Sequence, residues 1–183
     1  MLNIAAFIPR STVNGPGERA VVWVQGCPRQ PPCNGCFNPG MLDGQKEVRL
    51  MATEELVQRI LAIDGLSGVT FSGGEPFSQA ADLALVASDA RLRDLTVVVF
   101  TGHVLAELQR SEAHRALLAA TDLLIAGPFE KDMATGQPLL SSANQRHHFL
   151  STRICSADLD SMAEIEVLVG ADGEVTFSGF PPR

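Results

Sequence analysis

The chain has 183 residues, 45% apolar and 19% charged, and its 14 Lys+Arg against 21 Asp+Glu give a net charge of −7. That length suits a single domain, residues 1–183, burying roughly 70% of the surface its unfolded chain exposes, and the composition is far from that of a disordered protein. The acidic balance argues against nucleic acid as a partner, and with neither an apolar run of roughly 18 residues nor a signal-peptide pattern the expectation is a cytoplasmic protein with no membrane span.

Taken in chain order, the first expected strand is 20–24 (AVVWV), a β-branched run ending at Gln25-Gly26. Thr53 is placed to cap a helix whose first turn carries Glu54 and Glu55 and whose apolar stripe is Leu56, Val57, Ile60, Leu61 and Ile63. A second strand, 69–71, runs into Ser72-Gly73-Gly74-Glu75-Pro76 and then a helix over 78–88. A third strand, 95–100, ends in Thr101-Gly102-His103, and helical segments follow over 104–120. A fourth strand, 123–126, ends at Gly127-Pro128 and a polar loop. Runs at 165–169 and 174–178 flank Ala171-Asp172-Gly173, a hairpin signal. Strands separated by helices imply parallel βαβ units. The expected fold is α/β, a partial β/α barrel too short to close, with a C-terminal β-hairpin.

Four cysteines stand at 27, 33, 36 and 155. A disulfide scaffold would spread them, whereas three within ten residues point to a metal. The spacing is C-x5-C-x2-C, in a loop with three prolines. Soft thiolates suit zinc or an iron–sulfur cluster. Zinc would need a fourth ligand, whereas a cubane held by three thiolates keeps one iron open to a small molecule. Ordinary buried cysteines are the bland alternative. At the next strand end, Gly73 and Gly74 allow close backbone approach, and Glu75 suits an ammonium group, although the same string also reads as a plain glycine turn.

Together these motifs resemble the radical S-adenosylmethionine enzymes, and within them the activating proteins of glycyl radical enzymes of the anaerobic ribonucleotide reductase group. Asn14-Gly15-Pro16-Gly17-Glu18-Arg19 resembles that group's N/D-G-P-G-x-R, and Cys33-Asn34-Gly35-Cys36-Phe37-Asn38 its C-P-G-C-[YF]-N. Thr101-Gly102-His103 resembles T-G-Y, with His for Tyr. The stretch 122–129 resembles D-x-L-I-x-G-x-F and the stretch 141–146 resembles S-S-x-N-Q-R, so the resemblance spans roughly residues 12–150. It departs in one place. The family's C-x3-C-x2-C is lengthened here by two residues, and Pro31-Pro32 is expected to bulge outward and leave the thiolates convergent.

The resemblance implies that Cys27, Cys33 and Cys36 hold a 4Fe-4S cluster whose open iron chelates S-adenosylmethionine. Reduction then yields a 5′-deoxyadenosyl radical for hydrogen-atom abstraction. It further implies cofactor contacts from Phe37, Asn38, Ser72, Gly73, Gly74, Glu75, Thr101 and His103. Phe37 is equally readable as core, and His103 as a helix cap. Asn144 and Gln145 face either cofactor or partner, or form a solvated loop. Cys155 is expected to be a buried small hydrophobe rather than a ligand, and His147-His148 carry no metal. The implied partners are a glycyl radical protein and an external electron donor of the flavodoxin or ferredoxin type. A free-standing radical enzyme acting on a peptide or small molecule is the runner-up, and a non-catalytic iron–sulfur or zinc module the third reading.

Overall fold

The computed structural model describes residues 1–46, 49–169, 173 and 175–180. In chain order its main elements are β1 (Leu2–Ser11), β2 (Arg19–Val24), β3 (Leu50–Met51), α1 (Thr53–Leu61), β4 (Gly68–Gly73), α2 (Ala80–Leu92), β5 (Thr96–Thr101), α3 (Leu105–Leu108), α4 (Glu112–Ala119), β6 (Leu123–Ala126), β7 (Arg146–Phe149), β8 (Ile165–Val169) and β9 (Val175–Gly179). A seven-stranded sheet runs β3-β1-β2-β4-β5-β6-β7, and β8-β9 form a separate antiparallel pair.

The four strands expected from the apolar runs, β2, β4, β5 and β6, are neighbours and parallel. Beyond these parallel strands the sheet continues with antiparallel neighbours at both ends. β1 pairs antiparallel with β2 and β3, and β7 antiparallel with β6, so the sheet is mixed. Among the described residues it does not close into a barrel. β7 is the sequence Arg-His-His-Phe, which carries no apolar run, and only pairing with the buried β6 makes it a strand.

Alternation along the strands sorts their side chains into two layers. Val22 and Val24, Val69 and Phe71, and Val97 and Val99 join Leu56 and Ile60 of α1, Leu83 and Val86 of α2, and Leu117 of α4 in one core. Val98, Leu123 and Ile125 face the other way and pack with Leu139, Leu140, Ile154 and Leu159. The helices of the main core therefore lie on one face, and the opposite face remains for the site.

Helix boundaries shift for local reasons. Thr53 is the first helical residue rather than the cap, a place taken by Ala52, and its hydroxyl donates to Asp82 Oδ1 at 3.1 Å, tying α1 to α2. Residues Pro76–Gln79 form a 3-10 turn, so α2 starts at Ala80 and runs on to Leu92. The expected 104–120 segment is broken between α3 and α4. The hairpin forms, but Ala171 and Asp172 of its expected turn and Glu174 of its expected second strand lie outside the described residues. It leans on the main body through Thr12 N–H to Glu166 Oε2 (3.1 Å), Asn14 Nδ2 to Ser178 Oγ (2.7 Å) and a Phe100–Phe180 ring stack at 5.4 Å.

At the amino ends of the parallel strands sits Arg19, fully buried. Its five N–H groups reach Thr70 Oγ1, Pro16 O, Thr96 Oγ1, Val69 O and Thr96 O, all at 2.8–2.9 Å. One side chain thus satisfies the full donor fork of a guanidinium and joins β2, β4 and β5. Replacing Arg19 with Met leaves three buried carbonyls without that donor and is expected to cost about 3 kcal/mol or more. Arg19→Lys, with three donors and no planar fork, restores only part of it. Urea unfolding of the three proteins checks this, and equal midpoints would refute it.

Candidate functional site

Chemistry in such sheets gathers at the carboxyl ends of the parallel strands. Here those ends open into a cavity of about 490 Å³, within the range of small-molecule sites. Its floor follows from strand parity: Trp23, Ser72 and Phe100 point away from the helices, alongside Ala6 and Ile8 of β1. Its walls are the loops after β2, β4, β5 and β6, and Phe177–Phe180 of the hairpin region line another side.

Ten of the eleven residues expected at the site meet here: Cys27, Cys33, Cys36, Phe37, Asn38, Ser72, Gly73, Gly74, Glu75 and Thr101. The cysteine loop leaves β2 and is held at its root. Gly26 N–H donates to Met41 O and Cys27 N–H to Leu42 O, both at 2.9 Å, and the Gln25 amide bonds Gly40 O and Asp43 O. Pro31 and Pro32 are exposed, and the three cysteines line the cavity.

The glycine turn is bonded directly to that root. Gly74 N–H donates to Val24 O at 2.8 Å, Glu75 N–H to Gly26 O at 2.9 Å, and Asn38 Nδ2 to Gly73 O at 3.2 Å. A Cβ on Gly74 would lie 2.2 Å from Gly26 O, so no other residue fits this approach.

The Glu75 side chain departs from the simple reading of an ammonium partner. It is 3% exposed, and its oxygens accept from Phe77 N–H (3.0 Å), Thr101 Oγ1 (2.8 Å) and Gly102 N–H (2.8 Å). The carboxylate ties the β4 loop to the β5 loop. Burial raises its pKa above the ordinary glutamate range, and the three donors and nearby His103 oppose that rise.

His103 is the expected site residue that does not line the cavity. Its ring Nδ1 lies 3.2 Å from Glu107 Oε2 and its N–H donates to Thr101 Oγ1 at 3.1 Å, the pattern of a residue organising a helix start. Phe37 lines the cavity and meets Phe129 edge-on at 4.9 Å. Gln145 lines it too, its amide oxygen accepting from Ser141 and Ser142 and its nitrogen donating to Gly127 O. Asn144 is not among the lining residues; it bonds Pro128 O at 2.7 Å. Cys155 is corrected from buried to exposed, its N–H bonded to Asp158 Oδ2, and it lies away from the cavity.

The sequence reading missed Arg29, Trp23, Phe129 and the hairpin residues. Arg29 and Phe129 stood inside motifs already singled out. Nothing in the spacing of Phe177 and Phe180 announces that a hairpin some 140 residues after the cysteines folds over them.

Three free thiols in one wall form a soft donor set. Burial raises the Cys27 pKa first, with Glu75, Cys33 and Cys36 adding to the rise and a backbone hydrogen bond from Arg29 opposing it. Thiols that repel one another as anions are the groups a bound cationic centre would stabilise. Among the described residues no three His, Cys, Asp or Glu form a ready single-ion site. Three soft thiols in one wall suit an iron–sulfur cluster, in which each thiolate takes a different iron.

Comparisons with known proteins bear on this arrangement. A family model described as a 4Fe-4S single cluster domain matches residues 13–148. The anaerobic ribonucleoside-triphosphate reductase-activating protein of Vibrio cholerae is 32% identical, over 80% of this chain and 97% of that one. Proteins of the same name from Pasteurella multocida and Enterobacteria phage T4 are 31% and 27% identical, each over 79% of this chain and over 95% and 92% of their own.

Glu75→Gln places an amide nitrogen against a donor and is expected to cost about 1–3 kcal/mol. The pH dependence has a definite sign. An acid whose folded pKa is raised contributes stability that is present below its unfolded value and lost as pH climbs through the folded one. Wild-type stability should thus fall from the ordinary glutamate range upward, and Glu75→Gln should flatten that fall. Denaturant unfolding across a pH series checks both.

Proposed function

Because the chain belongs to the 4Fe-4S single cluster domain family, in the group of anaerobic ribonucleoside-triphosphate reductase-activating proteins, we propose that it is a radical S-adenosylmethionine enzyme that installs a glycyl radical on an anaerobic ribonucleotide reductase. The observation that carries this reading is the direct bonding of the cysteine-loop root to the Gly73-Gly74-Glu75 turn at one cavity.

Cys27, Cys33 and Cys36 would hold a 4Fe-4S cluster, which would supply the electron for reductive cleavage of S-adenosylmethionine and so the means of hydrogen-atom abstraction. Ser72, Gly73 and Gly74 bring backbone up to the methionine end, and Asn38 steadies Gly73 from the cysteine side. Glu75 and Thr101 keep the two loops at fixed separation. Phe37 supplies an apolar wall, and the hairpin limits water on the side where Phe177 and Phe180 line the cavity. His103 acts through the helix start rather than by touching the cofactor.

The sheet with helices on its outer face is an open relative of the β/α barrel, and residues 1–183 act as one domain. Within the lengthened cysteine interval, Pro31 and Pro32 are exposed. An external one-electron donor of the flavodoxin or ferredoxin type supplies the reducing electron in a cytoplasmic setting. Among the described residues no helix is long and apolar enough to cross a membrane.

Anaerobic reconstitution should give about four irons per chain. Cys27→Ala should lose the cluster and Cys155→Ala keep it. The reduced protein should release 5′-deoxyadenosine from S-adenosylmethionine and raise a glycyl radical signal on a ribonucleotide reductase, read by electron paramagnetic resonance. Absence of 5′-deoxyadenosine overturns the radical reading. Its release without a reductase radical overturns the activase assignment and favours the free-standing enzyme.

A further inference from the structure

Arg29 lies inside the lengthened first cysteine interval and is half-buried. Among the described residues that line the cavity it is the only Lys or Arg, in a chain whose net charge is −7. One edge of its guanidinium is fixed, with Nη2 donating to Gly102 O at 2.9 Å. Gly102 is held from the other side as well, its N–H going to Glu75 Oε2 at 2.8 Å. A Cβ on Gly102 would sit 3.5 Å from Arg29 Nε and 3.6 Å from Glu75 Oε2, so the cation and the buried acid flank one glycine without pairing.

The remaining Arg29 donors have no hydrogen-bond partner among the described residues. The two acids nearby are already engaged: Glu75 by three donors, and Glu107 by His103 and Val104 N–H. Gly74, also in the cavity wall, has a carbonyl that accepts no hydrogen bond among the described residues. A planar fork with free donors and a free carbonyl in the same wall match the two ends of a zwitterion.

We propose that Arg29 binds the α-carboxylate of the methionine moiety of S-adenosylmethionine, making the lengthened cysteine loop a specificity element for an amino-acid-bearing sulfonium. The inference rests on the reading of the cavity as the S-adenosylmethionine site. Arg29 donates charge-assisted hydrogen bonds to the carboxylate, and the Gly74 carbonyl accepts from the amino group of the same ligand. Its bond to Gly102 holds the fork in place before the ligand arrives, which lowers the ordering cost on binding.

The test is equilibrium binding to the anaerobically reconstituted full chain, with two probes: S-adenosylmethionine and its decarboxylated analogue, which keeps the sulfonium, amine and adenosine. Arg29→Gln should weaken S-adenosylmethionine about tenfold or more and change the analogue by less than about twofold. Arg29→Lys, which keeps charge but loses the fork, should lower the preference for the carboxylate by a smaller factor. Iron content and melting temperature are read on each variant, and if Arg29→Gln does not hold its cluster the Lys variant carries the comparison. Equal weakening of both probes, or an unchanged preference, overturns the carboxylate role alone. A wild-type protein that binds neither probe overturns the reading of the cavity itself.

Discussion

A carboxylate that is almost wholly removed from water, and held by three donors from two loops, organises everything at the carboxyl end of this sheet. Glu75 belongs to the turn after β4, yet its oxygens are committed to Thr101 and Gly102 after β5 and to its own following turn. Burying an acid is costly unless its oxygens are answered, so these two loops cannot move apart independently. Its backbone N–H, bonded to Gly26 O, extends the same constraint to the cysteine loop. The cavity is what remains between loops joined in this way.

The opposite end of the strands has its own polar anchor. Arg19 satisfies five donors on β4, β5 and the turn before β2, and Asp122 accepts from Val97 N–H, Arg91 and Ser151 beside it. Between the two ends lie strands whose buried faces are mostly Val, Leu and Phe. Hydrophobic burial supplies the bulk of the driving force, and the directional bonds at each end choose which strands lie side by side. This division explains why a chain of modest length supports a cavity at all: the rigid part is apolar and local, and the open part is tied down by a few bonds between residues far apart in sequence.

That same division separates what could be read in advance from what could not. Runs such as Val69–Phe71 and Thr96–Thr101 carry their own signature, because side-chain alternation and β-branching are local properties. Breaks between α3 and α4 and the 3-10 turn ahead of α2 are shifts of a few residues at ends that fray. β7 is different, since its residues become a strand only by completing the edge beside β6. The glycine turn was recognisable, but the inward commitment of Glu75 was not, since a carboxylate after two glycines looks equally available to a ligand until its three donors are placed around it.

By itself the sequence determined the chemistry that can occur here: three thiols in a short, proline-stiffened loop, a close-approach glycine turn, and strands that bring both to one edge of a sheet. Those features depend on spacing within a dozen residues, which the chain writes directly. Only the tertiary structure decided which side chains face the cavity and which serve the frame. It turned His103 toward Glu107, brought Cys155 to the surface, drew Glu75 into a knot of donors, and set Arg29 and the distant hairpin at the cavity wall. Such choices follow from strand parity and from the requirement that buried polar groups find partners, and both are satisfied only when segments many residues apart have met. The four cysteines divide into three cavity thiols and one surface thiol, and among the described residues that line the cavity Arg29 is the one cation.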